Sequence, residues 1–106
     1  MDQVVTLDPV LLRFRNDVRA AYGARLKRLV LFGSRARGNH RTDSDYDVAV
    51  FIDGYTSRWD EICALSRITT QYWSDDIIVS AKPFPTEAFE QDSPLMREIR
   101  KDGIAL

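Results

Sequence analysis

A chain of 106 residues, 44% of them hydrophobic, can enclose one compact core and leaves too little material for a second, so a single domain over 1–106 is expected. Its 15 basic and 16 acidic residues leave a net charge of −1, which excludes a global basic field for gripping nucleic acid and confines any phosphate contact to a local cluster. Cys63, the sole cysteine, excludes an intrachain disulfide and a multi-cysteine zinc site; with no basic-then-apolar leader in residues 1–10 and no apolar run near the roughly 18 residues of a membrane span, a cytoplasmic protein without membrane association is expected.

Asp8 followed by Pro9 has the form of an N-cap and first helical residue, and Leu11, Phe14, Val18 and Tyr22 recur at spacings of three and four, predicting a first helix that ends near Gly23. The apolar run over 28–32 closes on Gly33 and reads as a buried strand. A polar loop over 33–44 follows, and a second strand runs through 45–52. Ser57 with Asp60 forms a capping box for a second helix over about 57–74, on which Trp59, Ile62, Cys63, Leu65, Ile68, Tyr72 and Trp73 are expected to face the core. A third strand is expected over 76–80, with Pro83 and Pro85 stopping regular pairing beyond it. One short turn at 87–90 and a final helix over 94–101, with Gly103 past its end, complete the order. Helices interleaved with three or four short strands predict an α+β (α/β sandwich) fold, a short mixed sheet with helices packed on one face.

Asp45 and Asp47 are one residue apart on a predicted strand, so both carboxylates leave the same face and repel each other. Val48, Val50 and Ile52 occupy the opposite face, and a pair of acids on such a strand is costly unless cations compensate it. Magnesium takes carboxylate oxygens together with substrate phosphates and water and would supply that compensation; the competing reading is that the two acids mark the frayed start of a strand in a solvated loop. Gly33 allows a backbone to approach an anion, and Ser34 adds a hydroxyl and an amide at the same strand end.

The run Leu31-Phe32-Gly33-Ser34-Arg35-Ala36-Arg37-Gly38, with Ser44-Asp45-Tyr46-Asp47 after it, resembles the signature of the nucleotidyltransferase superfamily. Within it the chain is most similar to the minimal nucleotidyltransferases, and weaker similarity continues through Ser93-Pro94-Leu95 to the closing Gly103-Ile104-Ala105-Leu106. The resemblance implies a polymerase-beta-like palm core, two magnesium ions held by Asp45 and Asp47, and a third carboxylate on a neighbouring strand, matched by Asp76 with Asp75 as the competing residue. It further implies that Gly33 and Ser34 grip the triphosphate of ATP or another NTP, with Arg35 as a phosphate contact ahead of Arg37 and Arg41. His40 reads as solvated, and Tyr46, facing away from the acids, as packing.

Minimal nucleotidyltransferases of this kind accompany HEPN toxin proteins as antitoxins, and some transfer AMP to a toxin tyrosine. The resemblance therefore implies a magnesium-dependent transfer of AMP from ATP to a hydroxyl of such a partner, within a hetero-oligomer. The competing function is a non-catalytic antitoxin or binding module that neutralises its partner by covering it. Direct nucleic-acid binding is disfavoured by the short chain and the absence of a basic groove or an aromatic platform.

Overall fold

The computed structural model describes residues 9–33, 36, 45–75 and 78–106, with side chains described for all of these except 73–75. Helix α1 (Pro9–Tyr22) turns Leu11, Phe14, Val18 and Tyr22 into the core, as the spacing predicts, and gives way to a 3-10 turn at Gly23–Arg25. Asp8, the expected cap, lies outside the described residues. Strand β1 (Leu26–Phe32) and strand β2 (Tyr46–Ile52) pair antiparallel from Leu26 opposite Ile52 to Phe32 opposite Asp47.

Helix α2 (Arg58–Thr69) is capped by Ser57, whose hydroxyl accepts from the Asp60 amide at 3.1 Å, and it continues as a 3-10 segment at Thr70–Asp75. Its buried face is Glu61, Leu65, Ile68, Thr69 and, beyond it, Tyr72. The expected apolar stripe is corrected at its start, because Trp59 is 72% exposed. Trp59 is out of phase with that face, which begins with Glu61. Arg25 explains why a glutamate can be buried there: its guanidinium donates to Glu61 at 2.9 Å and to the carbonyls of Asp53 and Gly54 at 3.1 and 3.2 Å. The Tyr22 hydroxyl donates to the same carboxylate at 3.4 Å, and burial, reinforced by the Glu61 charge, pushes its phenol up to about 12.

Strand β3 occupies Val79–Pro85 rather than 76–80, and runs parallel to β2 with Pro83 opposite Val50 and Pro85 opposite Ile52. The prolines therefore do not end the pairing. They are tolerated because β3 is an outer strand of the described sheet, where a missing N–H need not interrupt a ladder. After a 3-10 turn at Thr86–Glu90, helix α3 (Pro94–Asp102) is capped by the Ser93 hydroxyl, which accepts from the Met96 amide at 3.2 Å. Strand β4 (Ile104–Ala105) pairs antiparallel with β1, giving the mixed order β3-β2-β1-β4.

The α+β fold with a short mixed sheet is as expected, but the helices divide between its faces. Leu11, Phe14 and Val18 of α1 and Leu65 and Ile68 of α2 pack on Val48, Val50 and Ile52, whereas Met96 and Ile99 of α3 join Val30, Phe32, Ala49 and Phe51 on the other side. The reason lies in β2, where every residue over 48–52 is fully buried: apolar side chains alternating to both faces require cover on both.

Candidate active site

Three strand ends meet at one end of the sheet: the C-terminus of β1 and, because β2 is antiparallel to it and β3 parallel to β2, the N-termini of β2 and β3. Asp47 lies within β2 on the face covered by α3, between Phe32 of β1 and Ser80 of β3. Asp45 precedes the strand and is exposed, while Tyr46 between them is buried in the opposite core, as the alternation predicts.

Gly33 ends β1 with a φ of +79°, in the left-handed region that side chains disfavour. A Cβ there would stand 2.6 Å from Asp47 Oδ2, so the carboxylate is aimed at the glycine backbone. The chain turns directly afterwards, the Ala36 amide donating to the Gly33 carbonyl at 3.1 Å. A methyl at this point would fill the space in which an anion or a metal-bound phosphate could reach Asp47.

Asp47 is electrostatically frustrated. Burial holds its carboxyl above the ordinary value, the nearby Lys82 ammonium opposes that shift, and the charges of Asp45 and Glu98 add to it. An added cation would relieve this concentration of negative charge, and hard oxygen donors of this type suit magnesium. Among the described residues no three histidine, cysteine, aspartate or glutamate side chains are grouped as a metal cage.

Lys82, Ser80 and Glu98 were missed in the sequence. Ser80 sits abreast of Asp47, and Lys82 follows two residues on, opposite Ala49 and on the same sheet face, its amine donating to Ser80 Oγ at 3.1 Å. The alternation of Ser80 and Lys82 was the available signal, but it is obscured when Pro83 is read as the end of the strand. Glu98 comes from α3, more than fifty residues from Asp47 in the chain, and no local pattern announces its approach.

Of the other expected site residues, Ser34, Arg35, Arg37, His40, Arg41 and Asp76 lie outside the described residues. The backbone of Asp75 closes the 3-10 segment before β3, in agreement with its assignment to the turn. The strand that was expected to begin with Asp76 begins at Val79. A separate cleft of about 260 Å³, lined by Arg19, Lys27, Arg28 and Leu106 among others, contains neither Asp45 nor Asp47.

The provisionally assigned protein adenylyltransferase MJ0604 of Methanocaldococcus jannaschii is 40% identical over 40 residues, a stretch covering 38% of this chain and 40% of that relative. The chain also resembles the crystal structure of a toxin-antitoxin with AMP-PNP, with a TM-score of 0.59 and 19% identity over 87% of this chain and 68% of that one. A structure of the toxin-antitoxin MntA-HpeT mutant gives a TM-score of 0.58 and 17% identity over 93% and 72% of the two chains. At these identities the two structures share the fold. The nucleotidyltransferase domain family matches residues 11–102, from the first core leucine of α1 to the end of α3, and the chain belongs to that family.

Proposed function

We infer that this protein transfers AMP from ATP to a hydroxyl of a partner protein, a tyrosine of a HEPN-type toxin, and so acts as a cytoplasmic antitoxin in complex with it. The observation that carries the reading is the Asp47 carboxylate, aimed at the left-handed Gly33 and pressed by Asp45 and Glu98. Such a group is costly in the free protein and useful beside a metal-bound triphosphate. The reaction class follows from the family, whose members use divalent metals; the nucleotide and the partner are drawn from the adenylyltransferase relative and the toxin-antitoxin structures that share the fold.

In this reading Asp45 and Asp47 hold magnesium, with Asp76 completing one of two ion sites. Magnesium, when bound, supplies charge neutralisation at the phosphates and stabilises the departing pyrophosphate. Gly33 lets the chain approach the triphosphate, and Ser34 and Arg35 in the following loop contact it. The sheet holds Asp47 by pairing β2 on both sides, so the carboxylate needs little reorganisation when substrate arrives.

Calorimetry with ATP and magnesium tests the site: Asp45→Asn combined with Asp47→Asn is expected to abolish binding while the protein stays folded. Co-expression with a HEPN protein from the same operon, followed by intact mass measurement, tests the reaction. AMP-sized increments on the partner that disappear in the double variant are the expected result. Full neutralisation of the toxin by the double variant, with no increment in either case, would mean that the protein silences its partner by covering it.

A further inference from the structure

The order of the strands gives Asp47 two different flanks. On the β1 side stands Gly33, which opens the loop assigned to the triphosphate. On the β3 side stand Ser80, in direct register with Asp47, and Lys82 on the same face. If the triphosphate enters from the Gly33 flank, the acceptor has to approach the α-phosphorus from the flank of β3. Among the described residues, that flank offers Lys82 as its charged group on the Asp47 face.

We propose that Lys82 is a catalytic residue on the acceptor side of the site, where its ammonium holds the oxygen that attacks the α-phosphorus. The assignment rests on the nucleotidyl transfer inferred above. The acceptor oxygen forms a bond to the α-phosphorus, the bond from that phosphorus to the bridging oxygen breaks, and pyrophosphate leaves with the electron pair while the hydroxyl proton passes to solvent. Negative charge on the attacking oxygen must be met before the new bond is complete, and an ammonium already in place meets it without reorganisation. Two features suit Lys82 to that task. It is half-buried, unlike the exposed Lys27 and Lys101. Its amine is also steered by the Ser80 hydroxyl at 3.1 Å, which holds it on the sheet face it shares with Asp47.

The chain contains three lysines, Lys27, Lys82 and Lys101, which makes a labelling experiment decisive. Acetyl adenylate carries its reactive carbonyl directly on the α-phosphate. A lysine amine beside that position attacks the carbonyl, the carbonyl–phosphate bond breaks, and AMP departs, leaving an acetylated lysine and releasing a proton to buffer. The folded protein is treated with this probe and magnesium at mildly alkaline pH, with and without excess ATP, and its peptides are mapped by mass spectrometry. A parallel sample receives an acyl phosphate of ATP, whose carbonyl lies at the γ-phosphate. The expected result is acetylation of Lys82 at least tenfold faster than of the two exposed lysines, suppressed by ATP, with no matching reaction from the γ-linked probe. Suppression by ATP of labelling that falls on other residues, or Lys82 labelled by the γ-linked probe instead, would overturn the acceptor-side assignment while leaving the nucleotide site intact. Labelling that ATP does not affect, together with no ATP binding by calorimetry, would remove the nucleotidyl transfer on which the assignment depends.

Discussion

Gly33 and Asp47 approach each other as closely as only a glycine at position 33 permits: a Cβ there would lie 2.6 Å from Asp47 Oδ2, on a backbone held at a φ of +79°. The close approach joins the loop-opening residue to the acid behind it.

Gly33→Ala therefore meets two separate penalties, a left-handed backbone worth about 1–3 kcal/mol and displacement of the Asp47 carboxylate. Urea denaturation is expected to show a loss in that range, and calorimetry at least about a tenfold fall in Mg·ATP affinity. Adding Asp47→Ala removes the clash but not the backbone strain, so stability recovers in part and binding does not.

Folding raises the Asp47 carboxyl above its ordinary value of 3.8, so the folded protein binds that proton more tightly than the unfolded chain. Its contribution favours folding below the ordinary value and is lost as pH rises through the raised one. Asp47→Asn is expected to increase the Tm of the nucleotide-free protein at neutral pH, and the gain should fade as pH drops below 3.8. A pH-independent difference between the two proteins would contradict this account of the site.

Glu61 is tested through its partners. Glu61→Ala strands the Arg25 guanidinium and the Tyr22 hydroxyl, and because Arg25 is half-exposed the expected cost is about 1–3 kcal/mol rather than the larger penalty of a fully buried pair. Glu61→Gln keeps the shape and removes the charge. Spectrophotometric titration should then show the Tyr22 phenol, otherwise pushed up to about 12, moving down towards 10.0.

Gly103 has an ordinary backbone, and its requirement is for space. A Cβ there would collide with the Ile99 carbonyl oxygen and meet Val30 Cγ1 at 2.5 Å, where α3 hands over to β4. Gly103→Ala should cost about 1–3 kcal/mol in chemical denaturation through overpacking. Mg·ATP affinity should stay within about threefold of the parent, since Gly103 is not among the residues assigned to the nucleotide.

Much of this architecture is legible in the sequence wherever one element decides its own fate. The Leu11, Phe14, Val18 and Tyr22 stripe specifies α1, and the alternation after Asp45 sends Tyr46 to one core and Asp47 to the other face. Legibility ends where a neighbour decides. Pro83 and Pro85 argue against a strand until β3 is known to sit at the outside of the described sheet, and the burial of Glu61 on α2 depends on Arg25 from a turn distant in the chain. In the site, Gly33, Asp45 and Asp47 are readable from local spacing, whereas Lys82 and Glu98 reach Asp47 through strand pairing and helix docking.

The parallel pairing of β2 with β3 also sets the order in which a growing chain can assemble. The antiparallel β1–β2 pair can close once residue 52 has emerged, bringing Gly33 and Asp47 together. Ser80 and Lys82 can join only after α2 has been made and has carried the chain back along the sheet, a non-local contact that forms slowly. During synthesis Gly33 and Asp47 can thus meet well before Ser80 and Lys82 are available to complete the other flank.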